Sequence, residues 1–467
     1  MSIKKRLKKA WLALKYDAVE SSPTRRPVYI SGRSEDGELP PQKRQALISE
    51  ARDQIRNFSL AGFALRKHLQ FVSYYRFTAE TPSREFNRAL ERRVDLWKRR
   101  NNCDAARRSN FDELITLIES HRALDGDVGI LRRSDNRIQI VESDRIRNPD
   151  LLGRDANEWI GGVKLASTGR ALRYGIWRRT PAGAFVFERE VDARFFDLLA
   201  FRTRRDQVRG VSLFAPAVKM ISYLYDGIDY ALAKLKLEQM MGLVTKLDDG
   251  GNLAPIEQDA PNERDQIDKQ AREKFGKDLF HVALRVGEEA SFMESNNPSQ
   301  NFQTFCEATL RMIFAALDLP YSFYDGSKTN FYGSKGEFEQ YLDSVEKKQV
   351  ATREMLDEWI FDWLLPNWLS DPADPLYDAL PAGWRPDDIR GDVGWRGSGY
   401  PAWRLFEYVK EIQLAISCGL ASPYAVADSF GESITRNVEE LAALKELATA
   451  NDIYLPFTQE AALNVGL

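Results

Sequence analysis

Cysteine and histidine are scarce in this sequence. There are three of each in 467 residues, Cys103, Cys306 and Cys418, and His68, His121 and His281, far apart and with no paired spacing. Without CxxC or HExxH, neither a structural nor a catalytic metal site is expected, and the thiols read as reduced, as in a cytoplasmic protein. No run of 18 apolar residues occurs, so no membrane-spanning helix is expected. The start, MSIKKRLKKAWLALKYDAV, is basic like a signal peptide but lacks its sustained apolar stretch and small-residue cleavage site. Excess charge is missing too. Lys and Arg number 66 against 69 Asp and Glu, a formal net charge of -3, which excludes a uniformly basic nucleic-acid binder and leaves local charge segregation as the informative feature.

Catalytic loops are equally absent. GSKT at 326–329 and GSKG at 333–336 lack the Gly directly before Lys that a phosphate-binding loop needs, and no G-x-S-x-G elbow surrounds any serine. Carboxylates are plentiful, yet none is marked out as a pair for acid–base work. The composition, 43% hydrophobic, 29% charged and 11% aromatic, is that of a folded protein of roughly three domains by the usual length prior.

The pattern changes several times along the chain. Residues 1–44 read as a basic arm, rich in Pro, Gly and Ser towards its end. Helical spacing dominates from about 43 to 125. Leu60, Phe63, Lys67 and Phe71 share one face, and Phe111, Leu114, Ile115 and Ile118 recur at i, i+3, i+4 and i+7. Between 126 and 203 the period becomes two, in IQIVE (138–142), WIGGVKL (159–165), RYGIWRR (173–179) and AFVFERE (184–190), which predicts an antiparallel sheet.

A long helix is then expected from Ser212, with Leu213, Ala217, Met220, Ile221, Leu224, Ile228, Leu232 and Leu235 in register and Ser212 as N-cap. A second is expected from Pro298 to Asp318, capped by Asn297, with Phe305 and Ile313 on its buried side. A third is expected from Ser334, through an S-x-x-E capping box with Glu337, to a break at Pro366. Between the first two, Asp248 to Glu294 carries twelve acidic residues against six basic ones, a small acidic subdomain. Helices near 403–418, 423–430 and 433–450 close the chain.

Two stretches are basic. Arg84 to Arg108 holds nine cations against four acids, and Arg170 to Arg209 holds ten against five. Both suit phosphate or acidic partners, and both equally suit solvated helix faces and cross-strand ion pairs.

In order, these segments resemble the lambda-type portal proteins of tailed bacteriophages. The resemblance runs from about 45 to 455. It is carried by ARDQIRNFSLAGFALRKHLQFV (51–72), WKRRNNCDAARRSNFDELITLIESHRALDGDVGIL (97–131), IQIVESDRIRNP (138–149), FRTRRDQVRGVSLFAPAV (201–218), LDLPYSFYDG with NFYGSKGEFEQYLDSVEKKQ (317–349), and CGLASPYAVADSFGESITRNVEEL (418–441). Tyr332, Gly333, Ser334, Lys335 and Gly336 depart from the family's pattern, as does PAWRLFEYVKE (401–411).

The resemblance implies a mainly helical α+β portal fold, with wing, stem, clip and crown regions, assembled as a ring of about twelve subunits. The expected regions are a wing at 45–210, stem helices at 211–242 and 297–319, and a clip at 243–296. They continue with a tunnel loop at 320–333, a long wing helix and linker at 334–399, and a crown at 400–467. Arg204, Arg205, Asp206, Arg209 and Gly210 would form the wing–stem joint, and Leu224, Ile228, Leu232, Leu235, Phe305 and Ile313 the stem packing. Lys328, Thr329, Asn330, Tyr332 and Lys335 would face DNA. Asp248, Asp249, Glu257, Asp259, Glu263 and Asp265 would give an electronegative clip that meets terminase and adaptor proteins.

By the same resemblance, the chain would be no enzyme and would need no cofactor. Its partners would be double-stranded DNA, the terminase large subunit, the major capsid protein and head-completion proteins, with no membrane. It would be made in the host bacterial cytoplasm and sit at the portal vertex of the virion. Two other readings remain open on the residues: a monomeric nucleic-acid-processing enzyme using carboxylates near Asp125 and Asp127, and a capsid-associated adaptor that never touches DNA.

Overall fold

A computed structural model describes residues 34–149, 158–240, 243–246, 281–284, 300–328, 330–397, 405–453 and 455. Helix α1 (Pro41–Asn57) begins with a proline at its first position, where the missing N–H costs nothing. Phe58, in extended conformation, ends α1 and starts α2 (Ser59–Val72). Strand β1 (Tyr75–Ala79) follows, inside a region where helical spacing dominates the sequence. Helix α3 (Arg84–Trp97) is capped by Ser83 and buries Phe86, Leu90, Val94 and Trp97. A reciprocal capping box between Asn110 and Glu113 starts α4 (Phe111–Asp125), which Gly126 stops in a left-handed conformation.

The period-two region forms two antiparallel sheets. Strands β2 (Asp127–Arg132), β3 (Ile138–Glu142) and β8 (Phe196–Ala200) make one, with β2 in the centre. Strands β4 (Trp159–Ile160), β5 (Val163–Leu165), β6 (Ala171–Arg179) and β7 (Phe185–Asp192) make the other, in sequential order. Each of the four alternating sequence segments falls on these strands.

Helix α5 (Val218–Met240) starts six residues later than its apolar register suggests. Ser212 is no N-cap. Its hydroxyl donates to the Ala123 carbonyl and accepts from the Phe214 N–H, so residues 212–217 turn back onto the end of α4 before the helix begins. Strands β9 (Leu243–Lys246) and β10 (His281–Leu284) pair in parallel. Helix α6 (Gln300–Ala315) packs on α5; Asn297 and Pro298, expected to start it, lie outside the described residues.

Helix α7 (Phe331–Trp359) also differs from expectation at both ends. Asn330 caps it by accepting from the Gly333 N–H, so the helix starts three residues before Ser334. Glu337, expected to close a capping box, accepts from the Ser322 hydroxyl at 2.6 Å. Pro366 does not break the chain. A π turn at Ile360–Leu364 leads into α8 (Leu365–Ser370), and the widened turn makes room for the proline ring. Strand β11 (Val393–Gly397) returns to pair with β1, Phe77 opposite Trp395. Helices α9 (Leu405–Ser417), α10 (Pro423–Ser429) and α11 (Ile434–Ala450) end the described chain.

Three cores result. The largest joins α3, α4, β1, β2 and the end of α7 around Trp97, Trp359, Trp363, Trp368 and Trp395. A second joins α2 to the facing parts of α5, α6 and α7. The third lies between the two sheets. Among the described residues no helix is long and apolar enough to cross a membrane.

Candidate functional site: the joint and the two long helices

The stretch RRDQVRG (204–210) connects the sheets to the turn that leads into α5. Its buried members are Gln207, Gly210 and Arg209, and the five side-chain N–H groups of Arg209 are all used. Nε and Nη2 donate to the two Asp127 carboxylate oxygens at 2.7 Å each. Nη2 also donates to the Ser143 carbonyl and hydroxyl at 2.9 and 2.8 Å, and Nη1 donates to the carbonyls of Ile146 and Gly161 at 2.9 and 2.5 Å. Asp127 is also saturated, since it accepts from the Ser143 hydroxyl at 2.6 Å and from the Gly210 N–H at 2.8 Å. Burial alone would push the Asp127 carboxyl up, but the Arg209 charge and its hydrogen bonds hold it below the ordinary carboxylate range. Asp127 in turn holds Arg209 above its ordinary value against burial. A fork on a carboxylate needs a guanidinium, so lysine would not substitute here.

Backbone geometry shapes the same place. A Cβ on Gly210 would sit 1.9 Å from the Gly126 carbonyl oxygen, and Gly126 itself has φ +91° with Val211 and Gly210 pressed against it. Only two glycines can pass this closely. The region read from sequence as an arm also contributes. Asp36 accepts from the Val208 and Arg209 N–H groups at 2.7 and 3.2 Å, and the Arg44 guanidinium donates to the Gly210 carbonyl. Burial, then the like charge of Arg209, lowers Arg44 to about 10.

Of the five joint residues read from sequence, Arg209 and Gly210 are buried. Arg204, Arg205 and Asp206 are exposed, Arg204 lying 3.4 Å from Asp206 and 3.5 Å from Glu35. Gln207 was the missed member. Its side chain accepts from the Thr203 N–H and donates to the Arg209 carbonyl, so it closes the loop from within. The signal for it was weak, a lone amide in a charged run, and Asp36 and Arg44 had none.

The six residues expected to pack the long helices divide. Leu224 and Ile313 are each 1% exposed, and Ile228 and Leu235 are half-buried. Leu232 and Phe305 remain 50% exposed, Tyr230 76% and Met312 58%. The start of α5 and the end of α6 are covered by α2 and α7. Further from that core, apolar side chains stand in solvent.

The segment between α6 and α7 is not a free loop. Phe323 stacks on Phe71 at 5.6 Å and meets Tyr341 at 5.2 Å, and Tyr324 meets Phe63 at 6.2 Å. Asn330 serves as the cap of α7, and Lys335 pairs with Glu339 one turn on at 3.6 Å. Thr329 and the side chains of Lys328 and Tyr332 lie outside the described residues. So do Asp248, Asp249, Glu257, Asp259, Glu263 and Asp265.

The description "Phage portal protein, lambda family" belongs to a family model that matches residues 25–348, well over half the chain. The chain belongs to the lambda family of phage portal proteins. The match takes in the joint, both long helices and the start of α7 of this portal-family chain. No curated protein matches it. Among solved structures it is similar to a chain in the neck of a native gene transfer agent particle computed with C12 symmetry. That pair has a TM-score of 0.49 and 13% identity, over 84% of this chain and 94% of the other. A chain in the neck of an empty particle computed with C6 symmetry aligns with a TM-score of 0.48 and 14% identity, over 87% and 95%.

Proposed function

We infer that this chain is the head-to-tail connector of a phage-type particle, a portal subunit. The observation that carries the reading is the portal family match across residues 25–348. In this reading α5 and α6 are the paired stem helices, residues 45–210 the wing, 243–296 the clip, 320–333 the tunnel loop, 334–399 the long wing helix and linker, and 400–467 the crown. About twelve copies close into a ring by a heterologous interface, at the portal vertex of the virion. The half-covered apolar flank of the long helices supports it, because the described residues leave Tyr230, Leu232, Phe305 and Met312 exposed, and a neighbouring subunit would cover them.

The channel lets double-stranded DNA slide in both directions. Strong phosphate contacts would stall it, so Lys328 and Lys335 offer only brief, screened attraction, and the acidic clip adds weak repulsion. The clip residues Asp248, Asp249, Glu257, Asp259, Glu263 and Asp265 meet the terminase large subunit and later the head-completion proteins, and the wing meets the major capsid protein. ATP hydrolysis belongs to the terminase. A nuclease reading would need Asp125 and Asp127 free, whereas Arg52 and His121 engage the first and Arg209 the second.

The mass of the purified protein, with one negative-stain image, tests the assembly. Rings with a central opening are expected, and a stable monomer would overturn the reading. Cross-linking from position 328 to packaged DNA tests the channel. Silence at both 328 and 335 would assign the chain a peripheral role.

A further inference from the structure

Helix α6 ends in a motif usually built on glycine. The Leu319 N–H donates to the Phe314 carbonyl at 2.9 Å and the Asp318 N–H to the Ala315 carbonyl at 3.2 Å, with Asp318 left-handed at φ +59°. Glycine adopts that conformation with the least strain, so an aspartate there calls for a reason.

Its carboxylate supplies one. Asp318 Oδ2 lies 2.7 Å from Lys348 Nζ and accepts from the Ser344 hydroxyl at 2.8 Å. Lys348 also donates to the Leu317 carbonyl at 2.9 Å, so a single ammonium group joins the end of α6 and the aspartate beyond it. Ser344 and Lys348 are one turn apart on α7, and Glu337, which takes the Ser322 hydroxyl, lies two turns earlier on the same face. The segment leaving α6 is thereby stapled to α7 twice, at 318 and at 322, with Phe323 packed between Phe71 and Tyr341.

We propose that Asp318 is a positioning residue. Held left-handed by the end of α6 and clamped by Lys348 and Ser344, it locks the α6–α7 hairpin and so sets where residues 324–328 at its tip stand. The clamp is a property of the fold. Only its consequence, the placing of a tunnel loop, rests on the portal reading.

Amide hydrogen exchange on the full chain tests it, with residues 319–328 compared against the β2–β8 pair. Asp318→Gly makes the left-handed turn easier but removes the carboxylate, and Lys348→Met removes the other half. Each is expected to speed exchange at 319–328 by about tenfold or more, the factor matching loss of a charge-assisted hydrogen bond, with the β2–β8 pair unchanged. Asp318→Asn, which keeps an acceptor and tolerates the turn, should fall between. Unchanged or slower exchange in Asp318→Gly would mean the aspartate is merely tolerated, and overturns the proposal. So does an unchanged Lys348→Met, or a rise shared equally by the sheet. Because exchange is read whether or not rings form, failure of the clamp and failure of the portal reading remain distinct.

Discussion

The joint and the long helices are finished to different degrees. At the joint, every donor of Arg209 and every acceptor of Asp127 is satisfied inside one chain, and two glycines close the backbone with no space left. Along α5 and α6, one end is packed in the core while the remainder presents Tyr230, Leu232 and Phe305 to solvent, and Met312 is exposed even at the packed end. A buried ion pair tolerates no missing partner, so it must be complete before assembly. An apolar flank is neutral about who covers it, so its completion can wait for another subunit.

The contrast can be broken most forcefully at Asp127. Asp127→Ala leaves the Arg209 guanidinium buried and unpaired, and should lower the stability of the isolated chain by about 3–5 kcal/mol, read from urea midpoints. A loss below about 1 kcal/mol would show that the joint is not the closed unit described.

Two leucines of one helix sharpen the comparison next. Leu224→Ala, in the core, should cost about 2–5 kcal/mol. Leu232→Ala should leave the isolated chain within about 0.5 kcal/mol while reducing the mass of the assembled protein. Equal effects on the isolated chain would erase the distinction between packed and waiting surface.

A third test concerns His68, buried in α2 beside that core. Burial first, then the charges of Lys348 and Arg122, lower it from 6.5 to about 3. Between these values the unfolded chain binds the proton and the folded chain does not. The stabilising preference for neutral His68 is therefore complete above pH 6.5 and is lost as the pH falls towards 3. His68→Leu should remove about 2 kcal/mol of the stability lost between pH 7 and pH 5, measured from urea midpoints at pH 7, 6 and 5. The smallest effect is expected at Arg205, exposed in the joint, where Arg205→Ala should stay within about 0.5 kcal/mol.

Much of this architecture was legible in the sequence. The four alternating segments between 138 and 190 landed on strands, although burial in the structure does not itself alternate, since β6 buries Tyr174, Gly175 and Ile176 in succession and no residue of β7 is buried. The apolar register of α5 was legible from its period of 3.6, and Ile221 and Leu224 of that register are buried. Its start was not, because Ser212 bonds to Ala123 in a helix 89 positions away. Strands β1 and β11 escaped notice because each is defined by a partner on the far side of the chain. Among the site residues, Arg209 and Gly210 were legible as a charged turn, while Gln207, Asp36 and Arg44 were not, since their hydrogen bonds depend on distant backbone.

The sequence by itself determined the family, the long helices and their apolar faces, because local periodicity and motif order are written residue by residue. Only the tertiary structure decided which charges are buried and which part of an apolar face is already covered. Burial is a property of neighbours, and the neighbours that matter, Asp127 for Arg209 and α2 for the start of α5, are brought together by folding from far along the chain.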